Sequence, residues 1–284
     1  MSLTIAVLTM AKGRHGHLLG QVDGLSVGSL PPAVHSVVSM GDRDLTRGRL
    51  PLGTDRWRTV VRPVQSDRRA LPLAAARNAA AEAAVEEGAD LLVFVGGDVI
   101  PGKRALERYA DAVAEGAPEG VGGPVVWQGP LLHLPPLENA ALGYPFGHLA
   151  EIAAPTAGDP MLEPGQREPE PDWSHFRGCA FAMTAADFAE VGGFCTDYAG
   201  HGLEDADFAE KVSRAGGSLV WVGGATAYLQ PVPPPETADE LRIALRHAAT
   251  WRSRWGVDPD HPMLDRLLGA GVLQRAQEGG YVAV

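Results

Sequence analysis

The chain has 284 residues, 45% of them hydrophobic, a formal net charge of −11 and two cysteines. That is enough for one large domain or two small ones with a substantial core, while the acidic balance without a basic stripe argues against nonspecific nucleic-acid or anionic-membrane binding. Cys179 and Cys195 sit at no metal-ligand spacing, which excludes a disulfide framework and, with no leader pattern at the start and no apolar run near the roughly 20 residues of a membrane span, sets the expectation of a cytoplasmic protein.

In chain order, residues 3–9 (LTIAVLT) form a nearly continuous apolar run of the kind a buried parallel strand shows, and 34–40 (VHSVVSM) and 57–62 (WRTVVR) repeat it. Residues 72–87 predict an Ala-rich helix stopped by Gly88, followed by a strand at 90–95 (DLLVFV), a helix at 102–115 and a strand at 121–127. This alternation predicts βαβ units and a mostly parallel sheet. Residues 128–172 are rich in Pro and Gly and lack periodicity, as a functional loop or a mobile one does. Regular structure resumes at 174–183, with a short helix near Ala185, a helix at 203–215, a strand at 218–222 and an amphipathic helix at 237–255 that turns Leu241, Ala244, Leu245, Ala248 and Trp255 inward. The tail from Asp258 is expected to pack loosely.

Four segments carry chemistry. In GHGLEDADFAEKVSRAGG, a helical winding puts Phe208, Ala209, Val212 and Ala215 on one face, with Asp207, Glu210, Lys211 and Arg214 opposite. Asp205 falls on the apolar face, where a carboxylate needs a reason such as general-base chemistry. Glu204 is covered equally well by the preference of helix N-termini for acids. In VFVGGDVIP a strand runs into Gly96, Gly97 and Asp98. Glycines let a ligand approach the backbone and Asp98 is a hard oxygen ligand for a cation, although a plain turn with a helix cap explains the pattern too. In AAARNAAAEAA, Arg77 and Asn78 open a small-residue helix, where Arg suits phosphate or a salt bridge. In GDRD, Asp42 follows the second strand as either a nucleoside acceptor or a turn residue.

In this order the segments AARNAAAEAA, FVGGDVIP and FRGCAFAMTAADFAEVGGFCTDYAGHGLEDADFAEKVSRAGG resemble the GT-A glycosyltransferases, particularly family 2, and the last also resembles the GWGxEDxD region of galactosyltransferase-type enzymes. The resemblance runs from about Leu3 to about Pro235. It implies an α/β GT-A (Rossmann-like) domain, a mostly parallel central sheet flanked by helices over 1–284. Residues 1–127 would form a nucleotide-sugar-binding half, 128–235 an acceptor-binding and catalytic half, and 236–284 a helical extension. It implies inverting transfer from a nucleotide-diphosphate sugar, UDP by family habit, to an acceptor hydroxyl. Asp205 would be the base with Glu204 in support, and Thr9, Asp42, Arg77, Asn78, Gly97, Asp98 and Gly178 would be donor-binding positions. Asp98 would hold a divalent cation, Mn²⁺ or Mg²⁺.

Two departures stand out. Gly96 replaces the first acid of the family's DXD motif, and Leu229 and Gln230 stand where a metal-holding His often follows the final strand. The cation is therefore expected to be weakly held or dispensable. Gly200-His201-Gly202 replaces GWG, leaving His201 as an acceptor contact or a surface residue. The eroded metal motif keeps a second reading open, a non-catalytic protein that binds a sugar nucleotide or a partner. A nucleotidyltransferase is disfavoured, because TMAKGRHGH has Lys12 and Arg14 without a glycine cluster.

Overall fold

The apolar runs of the N-terminal half lie side by side in one sheet. A computed structural model describes residues 3–66, 70–137, 139, 143–233 and 237–284, so part of the irregular stretch (138 and 140–142) and of the expected 128–235 half (234–235) lies outside the described residues. The first half comprises β1 (Ile5–Ala11), α1 (His15–Ser26), β2 (Val34–Met40), α2 (Arg43–Thr46), β3 (Arg58–Val64), α3 (Leu73–Glu86), β4 (Leu91–Val95) and β5 (Val99–Pro101). Then come α4 (Ala105–Glu115), β6 (Val125–Gln128), β7 (Leu131–His133), α5 (Leu149–Ile152), β8 (Ala154–Pro155) and β9 (Arg167–Glu170). The last third holds β10 (Ala180–Thr184), α6 (Ala185–Val191), α7 (Glu204–Arg214), β11 (Ser218–Val222), β12 (Ala227–Leu229), α8 (Thr237–Trp255), α9 (Pro262–Gly269), β13 (Leu273–Arg275) and β14 (Tyr281–Ala283).

The main sheet has the order β3-β2-β1-β4-β10-β6-β11-β9. The β1–β2, β1–β4, β2–β3 and β6–β11 pairs are parallel, whereas β10 runs antiparallel to both β4 and β6. Alternate residues of β1 feed opposite layers, as pleating requires. Ile5 and Val7 join Leu18, Val22 and Tyr109 from α1 and α4, while Ala6, Leu8 and Met10 face the buried alanines of α3. Small side chains let α3 lie close to the sheet. Behind it stands an aromatic block in which Phe94 stacks on Phe181 at 4.4 Å and Phe194 on Phe208 at 4.0 Å. Trp127 is a core residue, 3% exposed.

The reversal of β10 positions the site. Ala180, its first residue, sits opposite Val95, the last of β4. The segment entering β10 therefore arrives at the carboxyl ends of β1 and β4, the edge where open α/β sheets bind ligands.

Three features depart from the sequence expectations. Helix α1 spans a segment whose glycines weaken its helical signal. Gly24 is there because a Cβ would come within 2.5 Å of Ile100, so contact with β5 outweighs propensity. The tail is not loose. Met263, Leu264, Leu267 and Leu273 form a buried cluster with Tyr198, Leu203, Ala244 and Ala248. That cluster covers the flank of α7 expected to meet solvent, so Asp207 is buried, while Ala215 is exposed. Asp207 accepts hydrogen bonds from the Tyr198 hydroxyl at 3.2 Å, from Arg254 at 2.7 Å and from the Trp255 indole at 2.9 Å.

Because Asp207 ties α8 to α7 through a buried charge, Asp207→Ala is expected to destabilise the fold by about 3 kcal/mol in urea unfolding. A change below about 1 kcal/mol would show that the cluster holds without it.

Candidate active site

Asp98 follows β4 and Asp42 follows β2, both on loops at the carboxyl edge of the parallel strands. The loop after β1 joins them. Gly13 donates its N–H to Asp42 Oδ2 at 2.8 Å, and Arg14 Nε lies 2.8 Å from Asp98 Oδ1. The Gly96 N–H bonds the Cys179 carbonyl at 2.8 Å, which docks the β4 turn onto the segment entering β10. One residue earlier, Gly178 donates to Asp205 Oδ2 at 3.1 Å. A continuous polar strip thus runs from Asp42 through Asp98 to Asp205.

Two glycines in this strip are required by space. A Cβ on Gly178 would stand 2.2 Å from Asp205 Oδ1, and one on Gly97 would stand 2.9 Å from the Met10 carbonyl. Gly178 is therefore accounted for by the approach of the α7 N-terminus, and Gly97 by the close passage of the Asp98 turn over the end of β1.

Arg77 does not lie out toward a base or diphosphate as expected. It is 4% exposed, its guanidinium contacts Asp205 Oδ1 at 2.7 Å and Glu204 Oε1 at 3.9 Å, and it stacks over the Phe194 ring at 4.7 Å. Burial of α3 against the aromatic block turns it inward. Asn78, next to it, exchanges two hydrogen bonds of 2.9 Å with the backbone of Phe194, which tie α3 to that loop. Thr9 is 0% exposed, so the expected ligand contact does not hold for its side chain, which pleating turns into the α1 layer. Asp42 realises the turn alternative. It caps α2 through the Asp44 and Leu45 N–H groups and also accepts from the His15 ring at 2.8 Å. Burial alone would raise its carboxyl, but the Gly13 N–H, the His15 ring and the two cap bonds bring it below the usual range.

The acids of α7 differ from each other. Glu204, with 0% of its side chain exposed, accepts from the Gly202 N–H at 2.6 Å and lies 3.3 Å from the exposed His201 ring. Burial pushes its carboxyl up, yet His201 and Arg77 together hold it down; the Glu204 contact and charge in turn raise His201. Asp205 keeps 22% of its side chain exposed. Its carboxyl is raised by burial and by the neighbouring Glu204 charge, against the opposing pull of Arg77. A part-exposed carboxyl with raised proton affinity can take a proton from a bound hydroxyl.

The donor set around Asp98 does not fit a divalent cation. Its Oδ1 contacts both Arg14 and the His17 ring, at 2.8 and 2.7 Å. The neighbouring position is Gly96, and Gln230 donates its backbone N–H to the Asp98 carbonyl and its side-chain N–H to the His17 carbonyl. The Arg14 and His17 contacts both fall on one oxygen, and a cation held by the other would sit next to the guanidinium's positive charge. Among the described residues, His15, Asp42 and Asp44 bring ligand atoms within 4.8 Å of one another and could hold a metal ion, although both Asp42 oxygens already accept hydrogen bonds.

A buried relay missed in the sequence fixes the Asp98 turn. Gln21, 0% exposed, donates to the carbonyls of Gly96 at 2.7 Å and Val99 at 2.8 Å, and accepts from the Thr9 hydroxyl at 2.7 Å. With its proton so used, Thr9 can only accept from His35 Nε2, 3.1 Å away, which assigns the Nε2–H tautomer. A Gln inside a glycine-containing helix gave no separate signal.

No curated protein matches the chain significantly. Residues 166–232, which include the Glu204–Asp205 helix, match the family described as the N-terminal domain of galactosyltransferase. Among solved structures, GalNAc-T7 with UDP, GalNAc and Mn²⁺ superposes with a TM-score of 0.56 at 14% identity, over 94% of this chain and 54% of that one. The mannosyltransferase PcManGT from Pyrobaculum calidifontis, in complex with GDP-Man and Mn²⁺, gives 0.55 at 16% identity over 95% and 69%. TarS 1–349 from S. aureus in complex with UDP gives 0.56 at 14% over 88% and 66%. The chain thus spans about half of GalNAc-T7 and two thirds of the others. It has the GT-A glycosyltransferase fold, an α/β architecture with a mostly parallel central sheet. Among the described residues no helix is long and apolar enough to cross a membrane.

Two outcomes follow from the relay. Gln21→Leu takes a donor from the Gly96 and Val99 carbonyls, leaving Gly96 with the Val99 N–H at 2.9 Å, and takes the acceptor from the Thr9 hydroxyl; it is expected to cost about 2 kcal/mol in denaturant unfolding, with weaker binding of any ligand that uses the Asp98 turn; unchanged stability would refute the relay. Burial lowers His35 from 6.5 to about 4, so below pH 6.5 the unfolded chain takes up a proton the native chain refuses. Stability is then greatest above pH 6.5 and falls toward pH 4 by up to about 3 kcal/mol, a slope that His35→Gln should flatten in pH-dependent unfolding.

Proposed function

We propose that the protein is an inverting glycosyltransferase that moves a sugar from a nucleotide-diphosphate sugar, UDP as the leading donor, to an acceptor hydroxyl. The observation that carries this reading is the raised, part-exposed Asp205 carboxyl, joined to the Asp98 turn through Gly178, Cys179 and Gly96. Residues 1–127 would hold the donor along the strand ends, and 128–235 would shape the acceptor side. The solved relatives bound to UDP or GDP-mannose support the substrate class, and the match at 166–232 supports a role for the Glu204–Asp205 helix.

In this reading Asp205 takes the proton of the acceptor hydroxyl as its oxygen attacks the anomeric carbon. The bond to the diphosphate breaks on the opposite face and the nucleoside diphosphate leaves. Arg77 and the Gly178 N–H orient the carboxylate from behind, leaving it lone pairs to spare. Glu204 acts through Asp205, keeping it basic in spite of the guanidinium. The same Arg77 contact favours a second reading, a sugar-nucleotide-binding protein without turnover, because an Asp committed to a buried Arg is a weak base.

Asp205→Asn separates the two. Under the first reading it lowers kcat by roughly 100-fold or more while donor affinity stays within about threefold. The base works only when deprotonated, so wild-type kcat should climb with pH through an apparent pKa above the ordinary ~4 of an Asp, and the residual rate of the variant should lack that limb. Normal turnover in the variant removes Asp205 as base. A wild-type protein that binds UDP- or GDP-sugars in calorimetry yet releases no nucleotide with any acceptor supports the second reading.

A further inference from the structure

We propose that this chain binds the diphosphate of its donor without a divalent cation, and that Arg14 and His17 do the cation's work. The inference rests on the reading of the site as a sugar-nucleotide site.

The first observation is occupancy. Asp98 Oδ1 already contacts Arg14 Nε at 2.8 Å and His17 Nδ1 at 2.7 Å, so a cation on this carboxylate would lie beside a guanidinium charge. A carboxylate only accepts, so His17 Nδ1 carries its proton toward Asp98. The turn itself is held by Gln21 from one side and Gln230 from the other, so Asp98 is presented to these two partners by a fixed backbone.

The second is strain. Arg14 has φ 44° and ψ 43° and is the sole non-glycine residue with positive φ among the described residues. Its neighbour Gly13, at φ 60°, takes the left-handed conformation freely, as a glycine at position 14 would too. Arg14 makes no side-chain capping bond to α1, so the helix does not explain a strained arginine. Strain of this kind persists where the side chain is needed in that place. What it accomplishes is to hang a guanidinium over the Asp98 turn.

The third is charge and access. A carboxylate holding a divalent cation presents one net positive charge to a diphosphate. Beside Asp98 the fixed charge of Arg14, with the His17 ring N–H next to it, meets that need from the protein's own side chains. Arg14 and His17 keep 45% and 28% of their side chains exposed, so both reach solvent where a ligand would lie. Arg14 spends Nε on Asp98, and its two terminal nitrogens remain on the side of the guanidinium suited to paired phosphate oxygens. Lys12 stands two residues upstream on the same loop, its Nζ 3.4 Å from Ser66 Oγ, and adds to the field.

Calorimetric titration of the full chain with UDP and with GDP, in EDTA and then in Mn²⁺, tests this, with uridine and guanosine as diphosphate-free controls. Affinity for the bound nucleotide is expected to agree within about threefold between EDTA and Mn²⁺ and to exceed that of its nucleoside by at least roughly tenfold. Arg14→Gly should lose most of that excess while melting no lower than the wild type, because it relieves the left-handed strain; this separates lost binding from lost folding. Arg14→Lys should fall between the two. Binding that disappears in EDTA and returns with Mn²⁺ overturns the inference, as does an Arg14→Gly variant that binds like the wild type. If neither nucleoside diphosphate binds under either condition, the sugar-nucleotide reading itself falls, and the inference with it.

Discussion

The contact between Arg77 and Asp205 is the constraint around which the two halves close. Arg77 belongs to α3 and is almost wholly buried, and Asp205 opens α7. A guanidinium in that position without its carboxylate would be strongly unfavourable, by about 3–5 kcal/mol for a broken buried pair. The α7 N-terminus must therefore dock where α3 dictates. The surrounding residues serve this contact. Phe194 lies under the guanidinium, Asn78 grips the backbone of Phe194, and Gly178 leaves the gap through which Asp205 reaches its place. Glu204, beside them, brings a second negative charge to a single arginine, and this imbalance keeps one carboxyl of the pair receptive to a proton.

The antiparallel β10 converts that local contact into a site. A parallel strand in its position would deliver its incoming segment to the other end of the sheet. Running the other way, β10 brings residues 178–179 to the carboxyl ends of β1 and β4, so a loop from the last third of the chain meets loops from the first. The base candidate and the Asp98 turn are thus close in space because of strand direction, although a long stretch of sequence separates them.

Around Asp98 the neighbouring side chains are basic rather than acidic. Gly96 stands where a second carboxylate would help hold a cation, and Arg14 and His17 approach from α1 and its preceding loop. The turn is rigid through the buried Gln21–Thr9–His35 relay, which runs across three elements and ends on an imidazole kept neutral by burial. Left-handed geometry at Arg14 and orphan-free carbonyls at Gly96 and Val99 belong to one arrangement, a backbone held still so that a cationic side chain can meet the carboxylate.

Much of this architecture is legible from the amino acids. The apolar runs at 3–9, 34–40 and 90–95, the alanine helix and the GGD and ED segments mark the α/β core and both acids, because hydrophobic period and turn chemistry are local properties. Helix α1 was hidden, since its glycines serve contacts with β5 that no local pattern records. The C-terminal cluster was hidden too, and with it the burial of Asp207, because a charged flank reads as solvated until another element covers it. Sequence alone thus determined which residues carry charge and which stretches form the sheet. Only the tertiary structure decided that Arg77 meets Asp205, that Arg14 and His17 meet Asp98, and that Thr9 and Asn78 enter internal hydrogen bonds, since those pairings depend on strand order and direction over long separations.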